Sequence, residues 1–156
     1  MKLHIITTGG TIDKIYFDDK SDYQVGEPQI SQILHAMHVA FDFEVTALMR
    51  KDSLHITDKD RQLIRATVEA SSCGHILITH GTDTLAYTSA ALCYALEGLA
   101  KPVILTGSML PLTVEGSDLW AASAAAGVEA RVTHHPAWRL FGRVSILRAH
   151  GRGLSR

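Results

Sequence analysis

Residues 75–84, with the sequence HILITHGTDT, decide the fold of this chain. A short, mainly apolar run of this kind is typical of a strand that is buried on both faces of a parallel sheet. The glycine that follows it predicts a sharp turn at the carboxyl end of the strand, and hydroxyl and acidic residues come next. The segment therefore predicts an α/β protein with polar groups at one edge of its sheet.

Two other segments repeat this pattern. Residues 3–8 (LHIITT) run into Gly9, Gly10 and Thr11, and residues 101–107 (KPVILTG) run into Ser108. In open parallel sheets, sites form where the carboxyl ends of the strands meet. We therefore expect the three strand-end loops to converge on one site.

The remaining pattern alternates helices with strands. We predict an α/β fold of three layers, with a mostly parallel sheet and helices on both faces, as in Rossmann-like and flavodoxin-like proteins. The other predicted elements are a surface loop at 13–27, helices at 28–39, 58–71, 84–98 and 118–130, and strands at 43–49 and 143–148.

Composition is that of an ordinary soluble globular protein. The chain has 156 residues, of which 46% are hydrophobic and 20% charged. This length is sufficient for one domain with its own hydrophobic core. Its apolar runs are too short to span a membrane, and its first residues lack the layout of a signal peptide. Cys73 and Cys93 have neither zinc-site nor CxxC spacing and are expected to be reduced, so we predict a cytoplasmic location without metal or cofactor.

Charge is distributed unevenly along the chain. All acidic residues lie at or before Glu129, so residues 1–129 carry −7 and residues 130–156 carry +6. A basic tail can bind nucleic acid, but it can also pack on an acidic body, and the tail has few interleaved aromatic residues. We expect no nucleic-acid partner.

The strand-end loops contain the groups that acyl transfer requires. Glycine turns can leave backbone N–H groups free to hold an oxyanion, and a hydroxyl can act as the nucleophile. The chain contains none of the GxxxxGK[ST], GxGxxG or GxSxG motifs, which leaves little support for a nucleotide site or a serine triad. Any single loop of this kind could be plain turn chemistry. The candidate side chains are Thr8, Thr11, Thr82, Asp83, Thr84 and Ser108.

These motifs resemble those of one family. Residues 6–12 (ITTGGTI) are similar to the first signature of bacterial-type L-asparaginases, and residues 78–84 (ITHGTDT) are similar to the second. Residues 20–26 (KSDYQVG) resemble the mobile active-site loop of that family. Residues 101–109 and 116–118 (GSD) agree with it as well, so the resemblance covers about residues 3–120.

The resemblance implies a role for each matching residue. Thr11 would be the nucleophile that attacks the side-chain amide, assisted by Tyr23, and Thr82 would be the second catalytic threonine. Asp83 would hold the α-amino group of the substrate. Read without the family, Thr11 could instead cap the following turn, and Tyr23 could be an ordinary loop aromatic.

Substrate binding is implied for three further residues. Ser53 would contact the substrate carboxylate, and Gly10 and Ser108 would complete the pocket for a small-molecule amide. His80, which lies in the second signature, is expected to have a structural role, packed at the end of its strand. The products would be aspartate and ammonia.

The sequence departs from the family in three respects. The family lysine that works with the second threonine is missing, because no lysine follows Lys101, and its place falls near residues 131–133, where Arg131 would be a poor base. No C-terminal asparaginase domain follows in this sequence. We predict that residues 1–130 form the asparaginase-like domain and that residues 131–156 are a basic, divergent segment of the same domain.

Three functions remain open on these grounds. The first is an amidohydrolase that acts on asparagine, glutamine or a related amide. The second is an amidotransferase-like subunit that releases ammonia, and the third is an impaired module that binds aspartate or asparagine without efficient turnover. The alanine-rich helix expected at 119–130 could be core or could support a homo-oligomer.

Overall fold

The computed structural model describes residues 2–16, 23–25, 30–36, 39–109, 140–141 and 144–147. Three α-helices lie within these ranges: α1 (Ile30–Ala36), α2 (Asp58–Ala70) and α3 (Leu85–Ala95). The strands are β1 (Lys2–Thr7), β2 (Lys14–Tyr16), β3 (Tyr23–Val25), β4 (Asp42–Ala47), β5 (His75–Thr79), β6 (Val103–Thr106), β7 (Leu140–Phe141) and β8 (Val144–Leu147).

The main sheet has six strands in the order β4-β1-β5-β6-β8-β7. Strands β4, β1, β5 and β6 are parallel neighbours, whereas β8 pairs antiparallel with β6 and β7 pairs antiparallel with β8. The carboxyl ends of β1, β5 and β6 therefore meet at one edge. This confirms the predicted α/β fold with a mostly parallel sheet.

Alternate side chains of the central strands fill two separate cores. On one face Ile5 packs with Leu77 and with Leu34 of α1, and on the other Ile6 packs with Ile78 and with residues of α2 and α3. Strict alternation in β1 places neighbouring isoleucines on opposite faces. The sheet is thus covered on both sides, as predicted.

Most predicted elements are confirmed within two or three residues. The strands expected at 43–49 and 143–148 are β4 and β8, and the helix expected at 58–71 is α2. Helix α3 ends at Ala95, before 98, and Gly98 with φ +88° ends the turn that follows it. The helix predicted at 118–130 lies outside the described residues.

The prediction of a plain surface loop at 13–27 is wrong. Strands β2 and β3 pair antiparallel there, with Tyr16 opposite Tyr23. The helix expected at 28–39 is α1 (Ile30–Ala36), whose ends agree with the prediction within two or three residues. Strands β2 and β3 have only three residues each, which is too few for an alternating pattern to be detected in the sequence.

Both cysteines are free thiols, as predicted. Cys73 is buried, and burial raises the pKa of its thiol. None of the helices in the described part of the chain combines the length and the hydrophobicity that a membrane crossing requires.

A polar cluster lies at the opposite end of the sheet from the three loops. The buried His4 ring is within 2.8 Å of both the Ser71 hydroxyl and the Thr46 hydroxyl. Nearby, the Cys73 thiol donates to Glu44 at 3.3 Å. These contacts join β1 and β4 to the segment that follows α2.

Asp60 ties the start of α2 to the loop that precedes it. Its carboxylate accepts hydrogen bonds from Lys51 Nζ at 2.7 Å and from the backbone N–H and hydroxyl of Thr57 at 2.8 Å. The Asp60 N–H donates back to the Thr57 hydroxyl, which completes a capping box. The hydrogen bond from Lys51, followed by those from Thr57, lowers the pKa of Asp60 to about 2.

We predict that Asp60→Asn lowers the free energy of unfolding by about 1 kcal/mol at pH 7, as the loss of a helix cap does. The pKa of Asp60 falls from 3.8 to about 2 on folding, so its contribution is present above pH 3.8 and is lost as the pH falls through 2. Urea unfolding at pH 7 and thermal unfolding from pH 5 to pH 2 measure both effects.

Glu69→Gln is the matched control for Asp60→Asn. It breaks an exposed pair with Arg65 later in α2, and we expect a change below about 0.5 kcal/mol. An undiminished effect of Asp60→Asn at pH 2 would contradict the assignment.

Candidate functional site

The first two strand-end loops meet through their glycines. A Cβ atom added to Gly10 would lie 2.6 Å from the Cα and 2.7 Å from the nitrogen of Gly81, a separation that real Cβ atoms do not show. Gly10 also has φ +98°, which side-chain-bearing residues rarely adopt. The contact sets Thr11, which follows Gly10, beside the loop that carries Thr82.

A third segment closes on the same glycine. A Cβ atom on Gly81 would lie 2.7 Å from both the Cβ and the Oγ atoms of Ser53. The Lys51 N–H donates to the Thr8 carbonyl at 3.1 Å, which holds the 51–53 segment against the end of β1. Ser53 comes from neither signature motif, yet the fold brings it to the centre of the site.

Ser53 is linked directly to the HGTDT loop. Its hydroxyl donates to Asp83 Oδ2 at 3.3 Å, and the Thr84 hydroxyl donates to its carbonyl at 2.7 Å. Ser53 is 1% exposed, whereas Asp83 is exposed. A buried hydroxyl thus supports a carboxylate that faces solvent.

The third strand-end loop reaches the second. The His80 N–H donates to the Thr106 carbonyl at 2.9 Å, and a Cβ atom on Gly107 would lie 3.2 Å from the Thr82 methyl carbon. Ser108, which follows, is fully buried. The expected convergence of the loops after β1, β5 and β6 is therefore confirmed.

Two of the candidate hydroxyls donate hydrogen bonds to backbone carbonyls. The Thr8 hydroxyl is buried and donates to the Thr79 carbonyl at 2.8 Å, so it joins β1 to β5. The Thr84 hydroxyl holds Ser53. Of the six candidate side chains, these two threonines therefore bond to backbone carbonyls of the protein itself. Thr11 and Thr82 are partly exposed.

Tyr23 is the first residue of β3, which pairs with β2, the strand that follows the first signature. Its backbone pairs with Tyr16, and the placement of its side chain lies outside the described part of the structure. Residues 131–133, where the family lysine would fall, are also outside it.

A buried hydrogen-bond chain behind the HGTDT loop was not predicted. His80 Nδ1 lies 2.7 Å from the Gly81 carbonyl, and His80 Nε2 lies 2.9 Å from the Thr88 hydroxyl. Arg61 Nε donates to that hydroxyl at 3.2 Å. The sequence marks His80 as a packed residue, but its partners come from α2 and α3 and carry no motif.

Comparison with known proteins points to one family. The family model described as Asparaginase, N-terminal, matches residues 2–137. An L-asparaginase from Thermococcus kodakarensis is 39% identical over 121 residues, which are 76% of this chain and 37% of that protein. A glutamyl-tRNA(Gln) amidotransferase component from Thermoplasma volcanium is 30% identical over 122 residues, covering 74% of this chain and 29% of its own length.

Solved structures agree with these relatives. The thermostable L-asparaginase from Thermococcus kodakarensis superposes with a TM-score of 0.76 at 32% identity, over 90% of this chain and 44% of that one. The chain therefore spans less than half the length of the proteins that it matches.

We predict that the glycine contact, rather than turn conformation alone, makes the loops intolerant of side chains. Gly81→Ala should cost about 1–3 kcal/mol of folding free energy, because its methyl group would overlap Ser53. Gly10→Ala should cost about 1–2 kcal/mol more, because it adds a positive φ to its own overlap with Gly81. Chemical denaturation measures both.

Two other glycines distinguish the energetic cost of a positive φ from the cost of steric overlap. Gly98 has φ +88° but open space around it, so Gly98→Ala measures the conformational cost alone, whereas Gly74 has neither constraint. We expect Gly74→Ala to be tolerated. If Gly81→Ala were as stable as Gly74→Ala, the loops would not be in the close contact described.

Proposed function

The chain belongs to the asparaginase family, whose N-terminal domain it matches over residues 2–137, and from this membership we propose that it hydrolyses the side-chain amide of asparagine or a related small amide. The observation that carries the proposal is the Gly10–Gly81 contact, which joins the loops of Thr11 and Thr82. The products would be a carboxylate amino acid and ammonia. The chain spans only part of the length of its relatives. The proposed activity must therefore be measured on this chain itself.

Thr11 is proposed as the nucleophile. Its oxygen would bond to the amide carbon to give a tetrahedral oxyanion, which would collapse to a threonyl ester as the C–N bond breaks. The hydroxyl proton would leave with the nitrogen as ammonia. Water would then hydrolyse the ester, which returns the Thr11 hydroxyl and releases the acid.

Asp83 is proposed to hold the α-ammonium group of the substrate. It is exposed at the site, and an anionic oxygen is a strong acceptor for an ammonium donor. Ser53 is proposed to contact the substrate carboxylate, with Gly10 and Ser108 lining the pocket. Because the Ser53 hydroxyl donates to Asp83, it must change partner to donate to a carboxylate.

Proton transfer is the step for which the sequence contains the fewest of the catalytic groups that the family resemblance implies. Thr82 is proposed as the second catalytic threonine and Tyr23 as the residue that assists Thr11, but no lysine follows Lys101 in the chain. This absence favours a second candidate function, a module that binds aspartate or asparagine with little turnover. The same site would serve both functions. Homo-oligomerisation and a cytoplasmic location remain predictions.

We predict that the purified chain releases ammonia from L-asparagine, and that Thr11→Ala and Thr82→Val each lower the rate by about 10²-fold or more. Thr67→Val is the matched control, because the Thr67 hydroxyl bonds to Leu63 within α2, and it should retain activity. L-glutamine tested in parallel measures which amide is preferred. Undiminished ammonia release by Thr11→Ala would rule out the nucleophile assignment.

Ligand binding distinguishes the second candidate. We predict that L-aspartate raises the melting temperature of the chain and that Asp83→Asn abolishes the rise, because the ammonium group loses its anionic partner. A rise without ammonia release would identify a binding module. If the chain neither released ammonia nor responded to L-aspartate, both proposals would be overturned.

A further inference from the structure

We propose that His80 is a positioning residue that orients the Gly81–Thr82 peptide within the loop that carries Thr82. Thr88 and Arg61 in turn fix the orientation of His80. The inference rests on the proposed function of the same site. His80 is fully buried and contacts the loop through a backbone carbonyl.

The donor and the acceptor of each hydrogen bond between Gly81 and Arg61 follow from the groups at the two ends of this series. The Gly81 carbonyl can only accept, so His80 Nδ1 carries the proton at that 2.7 Å contact. At the other end Arg61 Nε can only donate, so the Thr88 oxygen accepts from it at 3.2 Å. The proton of the Thr88 hydroxyl is then free to be donated to His80 Nε2, at 2.9 Å.

A single neutral tautomer of His80 satisfies all of these contacts. Burial lowers the pKa of His80, the backbone hydrogen bond to Gly81 raises it, and the charge of Arg61 lowers it again. The neutral ring therefore has one donor, Nδ1, and one acceptor, Nε2. A fixed tautomer makes the imidazole a rigid link between α3 and the loop.

The link acts on the peptide that carries the proposed catalytic threonine. In a trans peptide, the N–H of Thr82 points opposite to the carbonyl of Gly81. By holding that carbonyl towards the buried ring, His80 turns the Thr82 N–H away from it. Gly10 lies against the Cα and nitrogen of Gly81, and Ser53 occupies the place of a Cβ atom there, whereas His80 bonds to the Gly81 carbonyl and so fixes its direction.

Helix α2 supplies Arg61, the last residue of this hydrogen-bond series. Arg61 Nη1 also donates to Asp58 at 2.9 Å in the first turn of α2, where the Asp60 capping box lies. The side chain of Arg61 is only 17% exposed, so its position is largely fixed. The start of α2 thus supports the 51–53 segment through Asp60 and the HGTDT loop through Arg61.

The tautomer is tested without any activity measurement. Long-range ¹H–¹⁵N correlation spectra at pH 7 distinguish a protonated from an unprotonated ring nitrogen, and comparison with His80→Asn assigns the signals of His80 among those of nine histidines. We expect Nδ1 to be protonated and Nε2 unprotonated. A ring protonated on Nε2 alone, or on both nitrogens, would overturn the proposal.

The positioning role is tested by Thr88→Val, which keeps the shape of the side chain but removes the hydroxyl. We expect kcat/KM for L-asparagine to fall by roughly tenfold, as for the loss of a buried hydrogen bond, and the amide resonances of Gly81, Thr82 and Asp83 to shift. Thr88→Ser should restore the rate to within about twofold, because the hydroxyl returns. A purely packing role for Thr88 would predict the reverse order of the two variants.

Ser89→Ala is the matched control. Ser89 is a buried neighbour on α3 whose hydroxyl has no hydrogen-bond partner among the described residues, so its removal should leave both the rate and the loop resonances unchanged. If Thr88→Val folds and behaves like Ser89→Ala, the proposal is overturned. If Thr88→Val does not fold, the wild-type tautomer spectrum and Thr88→Ser decide.

Failure of the proposed function gives a different result. A wild-type chain that neither releases ammonia nor binds L-aspartate would refute that function. The tautomer and the response of the Gly81–Asp83 amides to Thr88→Val would still decide whether His80 orients this loop.

Discussion

The contact between Gly10 and Gly81 is the constraint on which the rest of the site depends. Two loops that leave neighbouring parallel strands meet backbone to backbone, at a distance that no side chain could occupy. Ser53 then packs on the same glycine and supports Asp83, while His80 holds the carbonyl of Gly81 from behind. The loops that carry the partly exposed Thr11 and Thr82 are therefore held together by backbone packing.

The sequence predicts the layers of this fold well, because burial leaves a periodic pattern. Apolar runs identify β5 and β6, and the capping residues before α2 mark its beginning. Strands β2 and β3 escape prediction, since strands of three residues are too short to show a periodic pattern.

The site is predictable where chemistry and topology coincide. Glycine and hydroxyl residues at three strand ends predict that these loops converge, as they do, but the choice of Thr11, Thr82 and Asp83 among the six candidates rests on the resemblance to the asparaginase family. What these hydroxyls do is not predictable from the sequence, because Thr8 instead binds a carbonyl at its own strand end. The partners of His80 are even harder to predict, since they depend on how two helices pack.

We propose that these loops form one binding site for an amino acid. Titration of ¹⁵N-labelled protein with L-aspartate, followed by amide chemical shifts, shows whether they do. We expect saturable shifts at Gly10, Thr11, Ser53 and the 81–83 segment. Shifts confined to the opposite end of the sheet, around His4, or no shifts at saturating ligand, would contradict it.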